Sequence, residues 1–141
     1  MIIQVLAAFV AILAFSIVIG APRRYLPFCG IVGAAGWLVY LLNVEPHGIV
    51  TANFIAAMII ALASHIFARI FKAPVTVFLI PGILILVPGA GMYRTVYQFF
   101  LGDRQAAGSY LLQTMQIAGM IALAIFVMDS LFALLGKRAE R

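Results

Sequence analysis

Residues 74–92 read PVTVFLIPGILILVPGAGM, nineteen positions without a charge. As one helix they would extend about 28 Å, close to the roughly 30 Å hydrocarbon core of a bilayer. Prolines stand at 74, 81 and 88, and the last two are each followed by glycine, as Pro81-Gly82 and Pro88-Gly89-Ala90-Gly91. An internal proline removes one helical hydrogen bond and clashes with the carbonyl four residues back, while glycine adds backbone freedom. The spacing therefore predicts an apolar span that kinks or breaks.

Freed backbone groups are costly in lipid, so a break at membrane depth survives only when buried in protein or lining a wet cavity. The segment is accordingly expected in the interior of a helical bundle. Transporters use such broken helices to aim amide-rich ends at anionic groups and exposed carbonyls at cations. Arg94, one turn beyond Gly91, adds a bidentate partner for a carboxylate. The competing expectation is a continuous, kinked helix whose glycines serve close packing and whose Arg94 snorkels to headgroups.

The surrounding composition agrees with a lipid environment. Hydrophobic residues make up 66% of the chain and charged residues 9%, with mean hydropathy +1.19, which excludes a water-soluble fold. The expected fold is an all-α integral membrane protein of about five transmembrane helices, the fourth broken by Pro-Gly pairs, with residues 1–141 forming one transmembrane domain. The first helix is expected at Ile2 to Ile19, ended by Gly20-Ala21-Pro22 and anchored by Arg23-Arg24. It has no basic n-region and exceeds the usual apolar length of a secretory signal, so a retained helix is expected. A second helix is expected at about Pro27 to Leu42, a loop at Asn43 to Gly48, and a third helix at about Val50 to Ala68. The broken fourth follows at Pro74 to Met92. Tyr93 to Leu101 has the composition of an interfacial segment, and Asp103 is placed to cap a fifth helix from Arg104 to about Leu135.

Orientation follows from basic residues. Arg23, Arg24, Arg69, Lys72, Lys137, Arg138 and Arg141 fall on one side and Arg94 and Arg104 on the other, seven against two. The positive-inside rule then places the N-terminus outside and the C-terminus in the cytoplasm. These residues form no basic run, so the net charge of +5 does not indicate nucleic acid.

Few other side chains offer chemistry. Gly30, Gly33 and Gly36 make a smooth face for helix packing, and the lone Cys29 reads as a buried structural thiol. Polar residues within the spans are Asn53, His65, Gln113, Thr114, Gln116 and Asp129. Asp129, two turns before the C-terminal basic cluster, is the proton-coupling candidate, its alternative being interfacial exposure beside a Lys or Arg. His47 and His65 are expected on opposite sides of the membrane, so no metal site is expected. The sequence has no Gly-x-x-x-x-Gly-Lys-Ser/Thr phosphate loop, no Gly-x-Ser-x-Gly elbow and no His-Glu-x-x-His pair, and neither a cofactor nor an enzymatic role is expected.

Residues 72–81, KAPVTVFLIP, with Pro88-Gly89-Ala90-Gly91-Met92-Tyr93-Arg94, resemble the threonine/serine exporter family. Ala21-Pro22-Arg23-Arg24 and Cys29-Gly30-Ile31-Val32-Gly33-Ala34 resemble the region after the first span in its small, split-subunit members. The resemblance implies a secondary transporter subunit in the bacterial inner membrane, paired with a larger subunit. It also implies export of threonine and serine or a dicarboxylate such as succinate. At the level of the motif it carries over Pro81, Gly82, Pro88, Gly89, Gly91 and Arg94 as substrate-binding candidates. The alternative from another class is a scaffold subunit that stabilises a transporting partner.

Overall fold

The computed structural model describes residues 1–139, with side chains described through Gly136. Arg141 and the side chains of Lys137 and Arg138, expected to anchor the last helix, lie outside the described residues. The described residues form five helices: α1 (Ile2–Val18), α2 (Leu26–Phe71), α3 (Thr76–Ile83), α4 (Gly89–Phe100) and α5 (Arg104–Ala139). Single 3-10 turns occupy Arg23–Tyr25 and Leu84–Leu86, and no strand occurs among the described residues.

The 46 residues of α2 would reach about 69 Å as a straight rod. They do not, because Gly48 takes φ 78° and ψ 166°, a conformation reserved in practice for glycine. Across that residue the Phe28 ring lies 5.4 Å from Phe67 and 4.5 Å from Phe71, and Ile60 fills the space left by the missing side chain of Gly36. Partners equidistant from Gly48 touch, so α2 is an antiparallel hairpin with arms 26–47 and 49–71. These are the second and third helices expected from the sequence. The expected loop, Asn43 to Gly48, shrinks to the glycine alone, since one residue at positive φ suffices to reverse the chain. Asn43 stays helical, its Nδ2 donating to the Val39 carbonyl at 2.8 Å.

Arg23–Phe71 and Arg104–Gly136 are long and apolar enough to cross a membrane, and Thr76–Leu86 with Gly89–Phe100 passes jointly as a pair bent by 43°. The 17 apolar residues of α1 add an arm of about 25 Å. The protein is thus an all-α membrane protein with five arms. Its surface is apolar to an extent that water would not tolerate: Ile3 and Val18 are more than 80% exposed and Phe126 is 68% exposed.

α2 is the hub on which α1, α3 and α5 pack, while α4 lies against α5. The glycine face predicted on the first arm is where this closeness arises. Gly30 accepts Phe9 and Gly33 accepts Ile12 from α1, whereas Gly36 turns to the second arm. Polar side chains are satisfied within their own helices, as lipid requires: Ser16 donates to the Ile12 carbonyl and Ser64 to that of Ile60, each at 2.7 Å.

Candidate functional site

The two Pro-Gly pairs behave differently. Pro81 lies inside α3 without ending it. Its missing N–H would have bonded to the carbonyl of Val77. That oxygen instead accepts the Cys29 thiol, Sγ to O 3.3 Å, from the first arm of α2. A Cβ on Gly82 would collide with Val32 and crowd Ile60, so this glycine admits α3 to the hub. Pro81 and Gly82 are both buried packing residues.

At Pro88 no outside donor intervenes. The Leu84 carbonyl, which loses its helical partner, takes the Val87 N–H at 3.3 Å, tightening the chain into the 3-10 turn Leu84–Leu86. Val87 then becomes extended at ψ 127°, and α4 starts after Pro88. The break therefore sits at Val87–Pro88. Gly89 donates to Val87 O at 2.8 Å and Met92 to Pro88 O at 3.1 Å, but the Ala90 and Gly91 amides have no backbone partner. The interior position expected for the whole segment holds for α3, where Phe78 is fully buried. It does not hold for α4, which has no buried residue because α5 alone covers it.

The broken end opens on a cavity of about 310 Å³. Pro88, Gly89, Gly91 and Arg94 line it from the break, Trp37, Tyr40 and Asn53 from the two arms of α2, and Tyr110, Gln113 and Thr114 from α5. Gly91 has a steric role, since a Cβ there would strike the Thr114 hydroxyl. Arg94 is exposed and lies over the Tyr110 ring, 5.8 Å from its centroid. It is the only formal charge in the lining, with no carboxylate beside it. Together with the free amides at the start of α4, it gives the cavity the chemistry of an anion site.

Of the six motif residues, Pro88, Gly89, Gly91 and Arg94 converge on the cavity, while Pro81 and Gly82 do not. Trp37, Tyr40 and Tyr110 were not singled out from the sequence. The Trp37 and Tyr40 rings, three residues apart, stack at 4.9 Å. The one tryptophan of the chain was the available signal.

Asp129 stands elsewhere. His65 Nε2–H donates to its Oδ1 at 2.7 Å, joining the second arm of α2 to α5. The His65 ring stacks on Phe132 at 4.3 Å, and the Arg69 guanidinium lies 4.6 Å from that same ring. The Asp129 side chain is 53% exposed, as the interfacial reading expects, but the partner of its carboxylate is a histidine, with Arg69 standing over the Phe132 ring. Asp129 lies twelve residues beyond Ile117 of the cavity wall, about 18 Å along the helix.

The family described as threonine/serine exporter, ThrE, matches residues 4–131, a range holding the break, the whole cavity lining and Asp129. No curated protein and no solved structure matches the chain.

Proposed function

Because this chain belongs to the threonine/serine exporter family and is a component of that family's transport machinery, we propose that the cavity at the Val87–Pro88 break binds the carboxylate of an exported metabolite. The observation that carries this reading is the pairing of unbonded α4 amides with Arg94 in one cavity that contains no acid. Threonine, serine and a dicarboxylate such as succinate all present the required group. The chain acts as half of a secondary exporter, completed by a larger subunit of the same family in the bacterial inner membrane. Its N-terminus faces outward and its C-terminus the cytoplasm, as the basic residues direct. The Asp129 carboxylate, held by His65, carries the coupling proton at a distance from the substrate.

The test is efflux of labelled threonine, serine and succinate from cells lacking the chain and then complemented. Arg94→Gln is expected to lower efflux about tenfold or more, since charge-assisted hydrogen bonds are worth roughly 1.5–3 kcal/mol. The amount of protein in the membrane should stay unchanged. Parallel loss of protein and efflux would make Arg94 a headgroup anchor. Full export by the larger subunit alone would assign this chain the scaffold role.

A further inference from the structure

α4 divides two unlike spaces. Gly91 and Arg94 belong to the polar cavity, whereas Thr95, Val96, Phe99 and Phe100 face the other way, toward Arg104, Ala107, Gly108 and Leu111 of α5. There the two helices enclose a groove of about 490 Å³. A second space of about 370 Å³ continues it, sharing Thr95, Val96 and Leu111 and reaching Met115 and Ala118. Thr95 turns its hydroxyl back to the Gly91 carbonyl at 2.9 Å, so the walls are apolar until the mouth, where Arg104 stands. Gly108 keeps the groove open, with nothing within 4 Å of where its Cβ would be.

We infer that this groove holds one anionic phospholipid, its acyl chain along α4 and α5 and its phosphate on Arg104. Length selects the occupant. Arg104 to Ala118 spans about 21 Å of helix, which matches half of the 40–45 Å total bilayer thickness, whereas a spanning protein helix needs about 30 Å. Charge agrees with length. Among the described residues the only ion pair is His65–Asp129, so Arg104 has no carboxylate partner there. The neighbouring Asp103 spends its Oδ1 on the Ala106 amide at 2.9 Å, capping α5. The exposed rings of Tyr97 and Phe100 flank this end as an aromatic belt does at headgroup level.

The experiment is native mass spectrometry of the full chain from mild detergent after incubation with equal phosphatidylglycerol and phosphatidylcholine. Wild type should retain one phosphatidylglycerol per chain through washes that strip bulk lipid, preferred roughly fivefold over phosphatidylcholine, the ratio expected for one basic side chain facing a net-anionic headgroup instead of a zwitterionic one. Arg104→Gln should abolish the preference. Gly108→Phe, whose ring fills the groove, should abolish retention of both lipids, with circular dichroism reporting that the helices remain. Absence of retained lipid on wild type would overturn the proposal. So would equal retention by all three proteins, or a second polypeptide in place of the lipid.

Discussion

Pro81 has no hydrogen to give Val77, and Cys29 gives one in its place. This exchange predicts a coupling between two residues 52 positions apart. Cys29→Ala should leave the Val77 carbonyl unpartnered and lower stability in detergent by about 1 kcal/mol more than the same change made in a Pro81→Ala background, where the backbone amide returns. Thermal unfolding of the four proteins measures it, and equal costs in both backgrounds would reduce the thiol to a space-filler. That Cys29 would be buried was legible in its apolar surroundings. That it serves a proline was not, because hydrogen-bond partners remote in sequence leave no local pattern. Gly48 is similar: the sequence placed a loop at Asn43 to Gly48, but the single residue that reverses the chain emerged from its backbone angles.

At the scale of elements, the broken span depends on Pro88. With alanine there, the backbone regains a donor for the Leu84 carbonyl and helix can propagate through residues 87–91, withdrawing the Ala90 and Gly91 amides from the cavity. Pro88→Ala is therefore expected to reduce efflux about tenfold or more while leaving the membrane level intact, the loss following from hydrogen bonds to a charged group. Unaltered efflux would disconnect the break from transport. The sequence placed the end of the fourth helix at Met92 and an interfacial segment after it. α4 instead begins at Gly89 and includes both stretches. Gly-Ala-Gly reads as a breaker in isolation, yet it fits a first helical turn, where amides lack partners anyway. The close-packing role of the glycines on the first arm was legible, but their division was not: Gly30 and Gly33 admit α1 while Gly36 admits the second arm, and only the packing shows which neighbour meets which glycine.

At the scale of the whole molecule, the polar cavity and the His65–Asp129 contact occupy separate levels of α5. If Asp129 carries the proton, Asp129→Asn should flatten the pH dependence of efflux without abolishing substrate binding. A pH profile identical to wild type would remove this residue from coupling. The charge distribution makes a second prediction at this scale. A C-terminal fluorescent protein should mature in the cytoplasm, and a C-terminal alkaline phosphatase should stay inactive. The opposite pattern would invert the orientation assigned to the cavity and the groove.

The amino-acid sequence alone determined that the chain belongs in lipid, where its helices run, apart from the Asn43–Gly48 turn and the stretch after Pro88, and that its fourth span is interrupted. These are consequences of solvent transfer and of backbone geometry, which each residue carries locally. Only the tertiary structure decided which Pro-Gly pair opens and what surrounds the opening. A deleted hydrogen bond can be replaced from another arm, as Cys29 does for Pro81, or absorbed by a tightened turn, as at Leu84–Leu86 before Pro88. Which of the two happens depends on the neighbour that packing brings.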